Sequence, residues 1–176
     1  MKYRALIVSG PNASEDIKGY LDGTKTQFRE IMKVQPTATI SLGGLVFFKG
    51  VESDAPRGNM GDRLYVKEAW FNDADYNQAP IIVYKTETPS FPLGSSSWKS
   101  AVTMPREYSR ITLEITGIRV GRLNEISEED AVKEIGSYGF EFEKMINFIS
   151  RWESKHGKGS FDNRWCWVYD VKLVES

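Results

Sequence analysis

Apolar positions along this chain recur at two spacings, and the order in which the spacings change lays out the elements. Ala5-Leu6-Ile7-Val8 is a short apolar run that stops at Ser9-Gly10-Pro11-Asn12, which predicts a buried strand entering a turn. Ile17, Tyr20 and Leu21 then fall at helical spacing, with Asn12 or Ser14 as cap. Glu15 and Asp16 stand in the first turn, where negative charge suits the helix dipole, and Gly23 is the stop. Thr26 to Met32 reads as a strand, and Thr37 to Phe48 as a β-rich run with a hairpin turn at Gly43-Gly44.

After a turn-rich stretch, Asp54 to Asp62, the chain enters a strand from Arg63 to Trp70 that is interrupted by Arg63, Lys67 and Glu68. Such charges either reach solvent at an edge or point into a polar cleft. Residues 72–104 hold one β-like run, Ile81-Ile82-Val83-Tyr84, in an otherwise irregular region. The clearest alternation is Ile111, Leu113 and Ile115 against Thr112, Glu114 and Thr116. It resumes one residue out of phase at Ile118 and Val120, which predicts a bulge at Gly117. Ser127 caps a helix, with Asp130 in the capping-box position. A second helix, Phe140 to about Lys155, sets Phe142, Met145, Ile146, Ile149 and Trp152 on one face. An aromatic-rich strand, Trp165 to Leu173, closes the chain. Strands and helices do not alternate, so the pattern predicts α+β with a mainly antiparallel sheet curled into a small barrel with flanking helices.

Length and composition narrow the classes. With 176 residues and 40% apolar content, one domain over 1–176 is expected. A formal net charge of −1 gives no global field to draw nucleic acid or anionic membrane. One cysteine, Cys166, with one histidine, His156, offers neither an internal disulfide nor a usual zinc set. A reducing compartment, no cofactor and no metal are expected. No stretch approaches the roughly 20 apolar residues of a membrane span, so the expectation is a soluble cytoplasmic protein without a membrane partner.

Charge is uneven locally. Trp98 to Arg122 carries five cations and two anions, and Asn124 to Glu143 seven anions and one cation. If the first segment lines a cleft, Arg106 and Arg110 are placed to hold phosphate while Trp98 or Trp70 stacks a base. Trp152, Trp165 and Trp167 read as core.

Gly23-x-Lys25-Thr26 after a short helix, Gly61-Asp62-x-Leu64, and Ile126-Ser127-Glu128-Glu129-Asp130-Ala131 before a final strand together resemble the ASCH domain, of the PUA-like superfamily. Gly61 to Trp70 and Met104 to Leu113 resemble larger ASCH-like proteins of bacteria and their prophages, and the resemblance covers nearly the whole chain. It implies a PUA-like pseudobarrel with a cleft for RNA or a nucleoside. Ligand contacts would come from Thr24, Thr26, Arg29, Arg63, Trp70, Trp98, Arg106 and Arg110. One branch of the family is similar to an amidohydrolase acting on N4-acetylcytidine; by that likeness Lys25 matches its lysine and Glu134 its glutamate, with Glu68 as an alternative carboxylate. Phe28 stands where that branch has threonine, and Glu30 where it has arginine, with Arg29 one place earlier. The readings carried forward are a binding protein for RNA or a nucleoside-like ligand, a hydrolase of modified nucleosides or of RNA, and a prophage accessory protein acting through protein contacts.

Overall fold

The computed structural model describes residues 1–36, 38–42, 45–49, 55–72, 81–90, 97–136 and 143–175. Nine strands and three α-helices are described among them, in a mixed α+β arrangement. They are β1 (Tyr3–Ile7), α1 (Ala13–Leu21), β2 (Gln27–Ile31), β3 (Ala38–Leu42), β4 (Leu45–Lys49), β5 (Arg63–Lys67), β6 (Trp70–Asn72), β7 (Ile82–Tyr84), β8 (Thr112–Arg122), α2 (Glu128–Ile135), α3 (Lys144–His156) and β9 (Trp165–Glu175). The main sheet has five strands in the order β1-β5-β8-β9-β2. Its β1–β5 pair is parallel and the remaining pairs are antiparallel. Two small antiparallel pairs, β3–β4 and β6–β7, stand outside it. Leu42 lies opposite Leu45, while the expected Gly43-Gly44 turn falls outside the described residues, as do Phe140 and Phe142.

The long strands follow the sequence pattern. Ile111, Leu113 and Ile115 are buried, and the register against β9 shifts between Ile115 and Gly117, the expected bulge. A side chain at Gly117 would place its Cβ 2.6 Å from Asp170 Oδ2, which is why glycine sits at the shift. β9 divides the interior: Tyr169 and Val171 join Leu6, Ile17, Leu64, Leu113 and Ile115 in one core, whereas Cys166 joins Leu123, Ala131, Ile135, Phe148 and Trp152 in a second, against α2 and α3. Burial pushes the Cys166 thiol up to about 12.

Several expectations are corrected. The sheet is not closed into a barrel: β1 and β2 are its two edges. Leu6, Val8 and Phe28 stand between those edges and line an open cleft, and Arg57 spans the seam. Arg57 donates to the Ala5 carbonyl of β1 at 3.1 Å and pairs with Glu30 of β2 at 2.7 Å. Only one face of β1 is covered, with Leu6 inward and Ile7 exposed, so the expected fully buried strand is half-buried. On α3, Ile146 is exposed and Phe148 takes its place inside, because a 3.6-residue period from Trp152 reaches Phe148, Ile149 and Met145 but misses Ile146. Asn12 occupies the cap position of α1 but makes no capping bond; its amide ties α1 to α3 through the Arg151 carbonyl and Ser154. Ser127 does cap α2, accepting from the Asp130 amide at 3.1 Å. The Asp130 carboxylate serves Gln27, Arg29 and Arg119 instead of closing a capping box. Trp152 is core and Trp167, partly buried, packs against the first core, but Trp165 belongs to neither and carries Arg122 stacked on it at 4.4 Å. Among the described residues no helix is long and apolar enough to cross a membrane.

Candidate functional site

The chain reaches the cleft through a narrow passage. After α1 it turns at Gly23 and passes Lys25 between α1 and the C-terminal end of α2. The Lys25 amide donates to the Gly19 carbonyl at 2.9 Å, and a Cβ on Gly19 would lie 2.8 Å from the Lys25 Cβ. Gly136, just past α2 with φ +68°, faces the same backbone from the other side. Lys25 is thereby packed down to 8% exposure, with its ammonium directed at α2. It donates to the Glu134 carbonyl, one of the last carbonyls of that helix, where the macrodipole favours a cation. Asp16 of α1 lies 3.3 Å from the same ammonium.

β2 supplies the next pieces by its two-residue period. Gln27, Arg29 and Ile31 face α2 and α3, while Phe28 and Glu30 face the sheet core and the seam. Arg29 pairs with Glu134 and reaches Asp130 at 3.4 Å. Phe28 lies flat on Tyr169, with ring centroids 4.9 Å apart. Glu134 belongs to the inward face of α2, with Ala131 and Ile135. Desolvation raises the pKa of its carboxyl against the lowering pull of Arg29 and Lys25. Tyr20 is buried beside them; its hydroxyl is held well above the usual phenol range by burial and by Asp16 and Glu134, so it stays a neutral donor.

These groups line a cleft of about 300 Å³, whose far side is α3 with Phe148, Arg151, Trp152, Lys155 and His156. Arg151 pairs with Asp16 at 2.8 Å. A comparison with solved structures returns the crystal structure of an ASCH domain from Lactobacillus crispatus JV V101. Identity is 15% and the TM-score 0.47, over 99% of this chain and 81% of that one. No family model and no curated protein matches this chain.

The residues that the sequence singled out as candidate site residues divide into groups. Lys25, Arg29 and Glu134 come together in the cleft, with Phe28 in its wall. Thr24 and Thr26 adjoin Lys25 in sequence but do not line the cleft, and the Thr24 hydroxyl is held by Asp22 at 2.5 Å. Glu68 lies elsewhere, buried in an ion pair with Arg110 at 2.9 Å and accepting from Thr86. Arg110 also pairs with Glu87 and stacks on Tyr84 at 4.2 Å, so its guanidinium is committed within the fold. Arg106 lies over Tyr3 at 4.1 Å, and Arg63 donates to the Tyr3 hydroxyl, on the outer face of β1 and β5. Trp70 is buried against Tyr108 with Lys99 over its ring at 4.7 Å, and half-buried Trp98 precedes the Lys99 bridge to Trp70.

Sequence reasoning missed Arg57, Arg151, Lys155 and the ion-pairing role of Asp16. Arg151 and Lys155 carried a usable signal, two cations four residues apart on one helix face. Arg57, in a turn without periodicity, carried none.

Proposed function

We propose that the cleft binds a nucleoside-like heterocycle. The observation that carries this reading is the convergence of three buried charged side chains, Lys25, Arg29 and Glu134, on a cleft whose wall also holds Leu6, Val8, Phe28, Phe148 and Trp152 and whose rim carries further charged groups. Burying an ion network costs more desolvation than packing the same space with apolar residues, so its retention beside an accessible cleft points to use. Two donors and an acceptor side by side suit the polar edge of a base, and Phe28 and Trp152 supply flat apolar wall. The volume lies at the lower end of the range for small-molecule sites. The reading rests on the cleft alone, because Arg106 and Arg110 do not line it.

The test is calorimetric titration with the common ribonucleosides. Binding is expected, weakened about tenfold or more by Lys25→Met and by Glu134→Gln, since each removes a charge-assisted contact. Unchanged affinity in both variants would take the ligand out of this cleft.

The raised pKa of Glu134 beside Lys25 favours a second reading, acid–base hydrolysis of a modified nucleoside. N4-acetylcytidine is expected to resist, because Phe28 brings no hydroxyl to the set and neither Thr24 nor Thr26 lines the cleft to replace it. Members of such a set act as a unit, so one loss removes most of the rate. Cytidine release by the wild type that disappears in Lys25→Ala would establish the hydrolase instead.

A further inference from the structure

The charges around the cleft do not balance. Five cationic side chains line it, Lys25, Arg29, Arg57, Arg151 and Lys155, against three carboxylates, Asp16, Glu30 and Glu134. Arg57 takes Glu30, and Arg29 takes Glu134. Asp16 Oδ1 is left to serve both Lys25, at 3.3 Å, and Arg151, at 2.8 Å. Lys155 then has no carboxylate within ion-pair distance among the described residues. It lies one helical turn from Arg151, so both cations stand on the α3 side of the mouth.

We propose that the ligand of this cleft carries a phosphate ester, held between Lys155 and Arg151, so that the physiological occupant is a nucleoside monophosphate in place of a neutral nucleoside. The proposal rests on the nucleoside reading above and adds the anion to it. Cations outnumber carboxylates in the lining even though Asp130 behind it also serves Arg29, shared with Arg119, and a phosphate monoester carries close to two negative charges at neutral pH. A bound dianion would neutralise an arrangement that is otherwise short of counter-charge. Desolvation depresses the Lys155 ammonium, and Lys25 adds to it, against a raising pull from Asp16, Glu134 and Glu30 that stand beyond ion-pair distance, as expected for a cation whose head is turned toward the cleft although the residue as a whole is exposed. Lysine acts here as a point charge on phosphate, and Arg151 adds a planar donor pair already oriented by Asp16.

The experiment titrates the whole chain with each common ribonucleoside and with its 5′-monophosphate, in wild type, Lys155→Met and Lys155→Arg. At least one monophosphate is expected to bind about tenfold or more tightly than its parent nucleoside. That gain should vanish in Lys155→Met and survive in Lys155→Arg, and it should shrink as salt is raised. Monophosphates binding no better than nucleosides would overturn the phosphate site and leave the nucleoside reading standing. A phosphate gain that persists in Lys155→Met would also overturn the site. Failure of every nucleoside and every monophosphate to bind would overturn both.

Discussion

Lys25 owes its position to two residues that have no side chain. Gly19 lies inside α1, where alanine would ordinarily stabilise the helix by about 1 kcal/mol. Here the added Cβ would meet the Lys25 Cβ at 2.8 Å, backbone-proximal atoms that cannot swing aside. Overpacking of this kind costs about 1–3 kcal/mol, so the steric term wins over propensity. Gly19→Ala is therefore expected to lower the melting temperature and to weaken ligand binding, whereas a rise in melting temperature with unchanged affinity would show that the passage has room for a methyl group. Glu134, singled out by the resemblance alone, lies on the buried face of α2 with Ala131 and Ile135 and lines the cleft. Asp16 was read only as a dipole-favouring residue, because its partners Lys25 and Arg151 are brought to it by tertiary packing that no local pattern encodes.

Among elements outside the cleft, the Glu68–Arg110 pair fastens the turn after β5 to the chain entering β8 and, through Tyr84, to β7. Glu68 is only 3% exposed, so removing its partner strands a buried carboxylate. Arg110→Met is expected to cost about 2–3 kcal/mol by denaturant unfolding, with nucleoside affinity unchanged in the folded protein. Lost affinity without lost stability would return Arg110 to the binding machinery. The sequence exposed these charges as anomalies within a strand pattern but could not tell a polar cleft from an internal ion pair, since both place a carboxylate among apolar neighbours. The alternating strand was readable because Ile111, Leu113 and Ile115 are buried on one face, and the bulge because the apolar positions resume out of phase at Ile118 and Val120. The phase of α3 was misread at Ile146, because the apolar residues of that helix cover more than one face and only the docking partner selects which of them goes inside.

At the level of the molecule, the α+β class and the mainly antiparallel pairing followed from the order of periods, while the parallel β1–β5 pair and the open seam did not. Strand pairing over such separations depends on which surfaces meet, and the local alternation of a strand is the same in an open sheet as in a closed one. The basic run from Trp98 to Arg122 illustrates the same limit: contiguous in sequence, it does not form one surface, since Arg106 and Arg110 flank a second, more open pocket beside Tyr3 and Tyr65 while Arg119 pairs with Asp130 and Arg122 lies on Trp165.

The seam spanned by Arg57 has a consequence for how the protein behaves at high concentration. An unpaired strand edge is a template for another chain, and a single side chain here occupies the outward Ala5 carbonyl of one edge while neutralising Glu30 on the other. Half-exposed ion pairs contribute little to folding, about 1 kcal/mol or less, so Arg57→Ala should unfold almost where the wild type does. Its light scattering on standing should nonetheless rise, because the guard on the edge is gone while the fold it guarded remains. Equal scattering from the two proteins would mean that the edge is protected by other means. On this account Arg57 acts as a gatekeeper against intermolecular strand addition, a role set by colloidal behaviour and invisible to any measurement of folding free energy.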